Sequence, residues 1–261
     1  MTNSDPISAG MGSGPVAVVP AERGAEARAR AVARQLDVAV QRDNHQTASV
    51  ILYVGHDDLW LQRADVAQAS PVRVDFASPR LQHRRRSGHN ELLGRAVGVK
   101  AGESPRVVDA TAGLGRDAYV LGDLGCEVTL VERSPVLALL LAHALERARI
   151  SSVESVRAAA ARMCLRQADS CSLAVPEGVV IYLDPMFSQR RGSAAAKKDL
   201  SVLQALHSAT DNEDSQLFEW AMAQPARRVV VKRPSKAPPL QQRQPSHAIM
   251  GKAIRFDVYA R

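Results

Sequence analysis

The chain is expected to fold as an α/β protein built on a doubly wound, mostly parallel sheet, preceded by a small N-terminal α+β subdomain. Three observations carry this expectation. From residue 96 onward strand-like and helix-like patterns alternate; a loop of small residues, Asp109 to Asp117, falls between a strand and a helix; and acidic residues recur where successive strands end. A length of 261 residues suits one substantial α/β core with an appendage. The expected organisation is a disordered tail over 1–14, a small subdomain over 15–95 and a catalytic domain over 96–261.

The first residues mix Gly, Ser, Pro and Ala without hydrophobic periodicity, hence the tail. Val16 to Val19 reads as a strand and Glu22 to Leu36 as a helix. Ser49 to Val54 (SVILYV), Asp58 to Gln62 (DLWLQ) and Val72 to Phe76 (VRVDF) are short β-prone runs separated by Gly, Asp, Ser and Pro; they read as a small sheet and not as a βαβ unit. Beyond Arg80 the chain turns basic, and Asn90 to Val99 has helical spacing.

In the second half, Arg106 to Asp109 (RVVD) reads as a buried strand followed by a helix from Arg116 to Leu124, and Val128 to Glu132 (VTLVE) as a strand followed by a helix from Pro135 to Arg149. Met163 to Gln167, Gly178 to Asp184 (GVVIYLD) and Arg227 to Lys232 (RRVVVK) supply further strands, and Ala195 to Leu206 and Asp214 to Gln224 further helices. Ala253 to Tyr259 is expected as a closing edge strand.

Composition excludes several classes. No stretch approaches the roughly 20 apolar residues of a membrane-spanning helix, and the N-terminus lacks the basic start and apolar run of a secretory signal. Cys126, Cys164 and Cys171 are an odd number at wide spacing, which argues against a disulfide framework or a zinc site; a cytoplasmic protein without a metal is expected. Thirty-four Lys and Arg against 27 Asp and Glu leave a net charge of +7, which favours a polyanionic partner. Four Tyr, four Phe and two Trp are few for a platform that binds single strands by stacking alone.

The first chemical motif is the loop Asp109-Ala110-Thr111-Ala112-Gly113-Leu114-Gly115-Arg116-Asp117. Small residues there let the backbone approach a nucleoside, and the helix start offers N–H donors. Only Gly113 and Gly115 are present, so the dinucleotide fingerprint is incomplete, and Asp117 would repel a pyrophosphate. In isolation such a pair also fits a plain tight turn. Glu132, at the end of the next strand, changes the balance, because an acidic side chain there accepts ribose hydroxyls. Asp169 and Ser170 follow the third strand, where they fit either an adenine contact or an ordinary turn.

Tyr182-Leu183-Asp184-Pro185-Met186-Phe187 closes the fourth strand and is the most specific motif. An amine-methylating enzyme must turn the nitrogen lone pair toward the methyl donor. An acceptor at Asp184 can hold the N–H, Pro185 stiffens the turn and Phe187 can stack on a base. The segment resembles the D-P-P-[YF] tetrapeptide of amino methyltransferases, with Met186 replacing the second proline. A strand-end Asp-Pro turn is common; three ligand-like motifs at three successive strand ends are not.

These blocks together resemble the ribosomal RNA small subunit methyltransferase J family. The matching segments are VVDATAGLGRDAYVL from Val107, VERSPV from Val131, YLDPMF followed by Lys197-Lys198, RRVVVKRP then APPL, and GKAIRFDVYA, with VDF at Val74 and HRR at His83 upstream. The resemblance covers Val72 to Ala260. It implies a Rossmann-like class I methyltransferase sheet, S-adenosylmethionine as cofactor, and methylation of the N2 amine of a guanine in 16S ribosomal RNA of the small subunit. By the same resemblance Arg116, Asp117, Glu132, Arg133, Asp169, Ser170 and Asp184 would line the cofactor site, together with Asp109, Gly113 and Gly115 of the loop. The basic residues Arg84, Arg85, Arg86, Lys197, Lys198, Lys232 and Arg233 would track RNA phosphates, although each charge run also fits a solvated face. Two other readings stay open from sequence: a methyltransferase for another amine, in adenine or a protein side chain, and a non-catalytic RNA-binding protein.

Overall fold

The computed structural model describes residues 16–41, 48–66, 69–79, 81–82, 89–185, 201–206 and 211–261, and these form two compact units. The first contains the described residues up to Arg73 together with 201–206; the second contains those from Val74 to Pro185 and from 211 onward.

In the first unit β1 (Val16–Pro20), α1 (Glu26–Leu36), β2 (Val50–Val54) and β3 (Leu59–Arg63) make a sheet of order β1-β2-β3. β1 and β2 are parallel, with Val16 opposite Val50, and α1 connects them. β1, α1 and β2 therefore form a βαβ unit, while the runs at Ser49 and Asp58 pair antiparallel without a helix between them, as expected. α1 buries Ala29, Val32 and Ala33 as the crossover helix of this parallel pair. β3 returns antiparallel to β2. The run at Val72 forms only a bridge to Leu61, because Pro71 has no N–H to extend a ladder and the chain turns at Asp75, whose carboxylate accepts from Ala77 N–H at 2.9 Å. Phe76 instead stacks on Tyr119 in the second unit, with ring centroids 5.4 Å apart.

The second unit begins earlier than the expected boundary at 95/96. α2 (His89–Val97) buries Leu93, Ala96 and Val97 in the same core as β4 and β5, so its apolar face belongs to the larger sheet. The remaining elements are β4 (Arg106–Asp109), α3 (Arg116–Asp123), β5 (Glu127–Glu132), α4 (Pro135–Arg149), α5 (Glu154–Ala161), β6 (Met163–Gln167), β7 (Val180–Leu183), α6 (Asp211–Ala223), β8 (Arg228–Pro234), β9 (His247–Met250) and β10 (Ile254–Ala260). Seven strands run in the order β6-β5-β4-β7-β8-β10-β9. The first five are mutually parallel and β10 is antiparallel to both neighbours. Order reverses at β4, so the helices that follow β4 and β7 lie on opposite faces of the sheet, and such a switch point opens a crevice beyond the carboxyl ends of the strands. Helices cover both faces: Ala118, Leu141, Leu145 and Val156 pack on one side, and Phe218 and Ala221 of α6 on the other.

β10 is not the edge strand that was expected. Five consecutive residues, Arg255 to Tyr259, are buried, so it sits inside the sheet, and the largely exposed β9, which has no strong strand signal, takes the edge. The Ala-rich α5 was likewise missed in sequence; its buried Val156, Ala159 and Ala160 serve the connection from α4 to β6.

Candidate active site

Every strand of the parallel set places its last residue on one rim, and the rim collects the acidic motifs. Asp109 ends β4 and is buried; its Oδ1 accepts from Thr111 N–H at 3.1 Å, which folds the glycine loop back on the strand. Removal from water, reinforced by the charge of Asp117, pushes its carboxyl up to about 8. Asp109 is thus a protonated support of the loop at neutral pH.

Glu132 ends β5, and both of its oxygens are engaged: Oε2 accepts from Gly113 N–H at 2.9 Å and Oε1 from Ser134 N–H at 2.8 Å. Burial raises its affinity for a proton, and these two backbone donors oppose that shift. The carboxylate therefore clamps the glycine loop to the start of α4, which Ser134 caps and Pro135 initiates. A carboxylate offers about four lone-pair sites, so both oxygens retain capacity for hydroxyl donors.

The two glycines of the loop do different things. A Cβ at Gly113, where φ is +54°, would meet only the Thr111 carbonyl oxygen at 3.8 Å, so the backbone there faces open space. At Gly115, with φ +68°, a Cβ would sit 2.7 Å from Leu141 Cδ2 and 3.2 Å from Phe76 Cζ. Gly113 leaves the loop backbone uncrowded, and Gly115 lets α3 start against α4.

Asp117 lies in the first turn of α3, where the helix dipole favours a negative charge. Its Oδ2 accepts from the Tyr182 hydroxyl at 2.7 Å and from Lys232 Nζ at 2.7 Å. Lys232 Nζ also donates to Asp184 Oδ2 at 2.6 Å. Burial alone would push the Lys232 ammonium down, but Asp117 and Asp184 together hold it above the ordinary lysine value. Asp184 is further fixed by its own backbone N–H, which donates to Thr111 Oγ1 at 2.7 Å. The β4 loop and the end of β7 are thereby tied at the residue expected to meet the substrate. Pro185 is buried behind it.

The remaining predicted residues are placed as follows. Arg116 opens α3 and is half-buried. Arg133 is exposed and paired with Glu213 at 2.8 Å. Asp169 is exposed and caps the short turn Ser170–Ser172 by accepting from Cys171 N–H at 2.9 Å. Ser170 is buried, and its hydroxyl donates to the Ala110 carbonyl at 2.8 Å, so it braces the glycine loop.

Two members of the expected RNA-tracking set are corrected. Lys232 is spent on two carboxylates inside the site, and its side chain is only 16 % exposed. Arg233 is buried and donates through Nε and Nη2 to the Pro238 carbonyl, where it folds back the loop after β8. They are consecutive on β8 and point to opposite faces of the sheet, each covered by its own neighbours, a fact the basic run KRP does not reveal. Arg84, Arg85, Arg86, Phe187, Lys197 and Lys198 lie outside the described residues. Sequence reasoning also missed Thr111 and Tyr182. Both sit inside the quoted motifs, but only the fold shows that they bond across them.

The donor set suits a sulfonium nucleoside and not a dinucleotide. Carboxylates at Asp117, Glu132 and Asp184 match ribose hydroxyls and a cationic amino-acid moiety, the Gly113 backbone is bare where a nucleoside must approach, and a pyrophosphate would meet like charge. Comparison with known proteins agrees. A family model for SAM-dependent methyltransferases matches residues 32–261. The chain is 45% identical over 239 residues to the ribosomal RNA small subunit methyltransferase J of Thioalkalivibrio sulfidiphilus, spanning 89% of this chain and 92% of that protein. It is 42% identical to the protein of the same name in Pseudomonas aeruginosa, over 88% of this chain and 89% of the relative. Among solved structures, the SAM-dependent methyltransferase of Neisseria gonorrhoeae superposes with a TM-score of 0.71 at 30% identity, covering 94% of this chain and 95% of that one.

Fold and site thus define a class I, Rossmann-like methyltransferase that depends on S-adenosylmethionine. Sequence identity at this level and coverage makes the assignment more specific: the chain belongs to the ribosomal RNA small subunit methyltransferase J family. Among the described residues no helix is long and apolar enough to cross a membrane.

Proposed function

We propose that this protein transfers a methyl group from S-adenosylmethionine to the N2 amine of a guanine in 16S ribosomal RNA of the small subunit, in the cytoplasm. The observation that carries the reading is the meeting of the glycine loop and Asp184 on one rim, through the 2.7 Å bond between Asp184 N–H and Thr111 Oγ1. The names of the relatives support a small-subunit RNA substrate.

Glu132 and the bare backbone at Gly113 would hold the nucleoside, with Asp109 and Ser170 bracing the loop beneath it; Arg116, Asp117, Arg133 and Asp169 complete the cofactor surface. When bound, S-adenosylmethionine would supply an activated, electrophilic methyl group, and the residues of this rim would position the acceptor nitrogen for it. Asp184 accepts a hydrogen bond from the target amine, turns its lone pair toward the donor and receives the proton it sheds. By the likeness of their motifs, Pro185 and Phe187 would serve the target base, and Arg84 to Arg86, Lys197 and Lys198 would serve phosphates. Guanine N2 is engaged in a duplex, so the base must be presented unpaired or flipped.

Incubation with labelled S-adenosylmethionine and undermethylated small subunits, followed by mass-spectrometric mapping, tests the proposal. Label on one guanine N2 is the expected result. Label on a different amine, or none despite saturable cofactor binding, refutes it.

A further inference from the structure

We propose that Lys232 is a positioning residue for methyl transfer: by bridging Asp117 and Asp184 it holds Asp184 on the rim as an anionic acceptor for the target amine. The inference rests on the reading of Asp184 as the group that receives that amine.

Three elements meet at one ammonium. Lys232 comes from β8, Asp117 from the first turn of α3 and Asp184 from the end of β7, with Nζ 2.7 Å from Asp117 Oδ2 and 2.6 Å from Asp184 Oδ2. An ammonium has three donors, and two are committed here. Asp117 is itself anchored by the hydroxyl of Tyr182, a fully buried residue two positions before Asp184 on the same strand. The bridge therefore fixes the end of β7 relative to α3 from two directions, through Tyr182 and through Lys232.

The charge balance makes the same point. The groups that face this cluster are Asp109 of β4, Asp117 of α3, Tyr182 of β7, Asp184 beyond it and Lys232 of β8. With Asp109 protonated, Asp117 and Asp184 remain as two like charges on one ammonium, and without that cation one of them favours proton uptake. A protonated Asp184 would present an O–H where the reaction needs an acceptor. The lysine keeps that proton off, so Asp184 meets the amine as a carboxylate. Spent in this way, the ammonium has no role on a phosphate-binding face.

The test compares Lys232→Met and Lys232→Arg with wild type in single-turnover methyl transfer to undermethylated small subunits at saturating cofactor across pH, alongside a carbon-13 NMR titration of Asp184. In Lys232→Met the rate constant at about pH 5 is expected to fall by about 10-fold, the loss expected when the carboxyl moves from about 4 to about 6. The acid limb of the pH profile and the Asp184 titration both move up by about one to three pH units, so activity recovers as pH rises. Lys232→Arg keeps both near wild type. A merely structural lysine would lower activity at all pH values without moving the limb. An unshifted limb and titration in Lys232→Met, or a wild-type rate at about pH 5, overturns the proposal. Should Lys232→Met not fold, Lys232→Gln carries the same measurements. If the wild-type protein labels no small subunit while the Asp184 titration still shifts in the variant, the RNA reading falls and the coupling of Lys232 to Asp184 stands.

Discussion

Asp184→Asn separates chemistry from architecture at this site. The substitution preserves size, and the bond to Thr111 Oγ1 survives because it comes from the backbone N–H. What disappears is the charge facing Lys232 at 2.6 Å. Two unit charges about 4 Å apart attract by about 4 kcal/mol at an effective dielectric constant of about 20. The Asp184 side chain is 34 % exposed and Asp117 still neutralises the lysine, so solvent screening leaves a net stability loss of about 1 kcal/mol. Catalysis loses more. A positioned proton acceptor contributes about 10²- to 10⁴-fold, or about 2.7 to 5.5 kcal/mol of barrier. The single-turnover rate with tritium-labelled S-adenosylmethionine and undermethylated subunits should therefore fall at least about 100-fold, while calorimetric cofactor affinity changes by less than about tenfold, one hydrogen bond's worth. A variant that transfers methyl groups within about threefold of wild type would falsify the assignment of Asp184 to the reacting amine.

Three further outcomes follow from the geometry. Glu132→Ala removes the acceptor of two backbone N–H groups and the ribose hook, so the dissociation constant for S-adenosylmethionine should rise by at least about tenfold and chemical denaturation should show a loss of about 1 to 3 kcal/mol; unchanged affinity would remove Glu132 from the cofactor site. Gly115→Ala places a methyl 2.7 Å from Leu141 Cδ2 at a positive φ, and should cost about 1 to 3 kcal/mol, seen as a melting point lower by several degrees. Asp109 has its carboxyl raised to about 8 in the folded chain, against about 4 when unfolded, so its contribution to stability is complete below about pH 4 and is lost at up to about 1.4 kcal/mol per unit as pH rises to about 8. Asp109→Asn should therefore flatten the fall in urea-derived stability between pH 5 and pH 8; an unaltered slope would mean that Asp109 is already ionised at neutral pH.

Much of the second unit was legible because its signals are local. Strands such as RVVD and VTLVE carry unbroken apolar runs, and α4 announces itself through Ser134 and Pro135 at its start. The site was legible for the same reason: Gly113, Glu132 and Asp184 stand at strand ends, and in a parallel sheet all such ends share one rim. The first unit was read less well, since a parallel pairing between β1 and β2 is a choice of partner and direction that neither strand encodes alone.

Sequence by itself determined which residues end the strands, where glycine must stand and which class of chemistry the rim supports, because these follow from short-range pattern and residue type. Tertiary structure alone decided what each polar group does there. Lys232 reads as one more surface cation in KRP until β8 pairs with β7 and α3 delivers Asp117 beside it. β10 reads as an edge until β9 folds alongside it. In both cases the deciding quantity is desolvation by neighbours distant in the chain. That is a property of packing, which no window along the sequence contains.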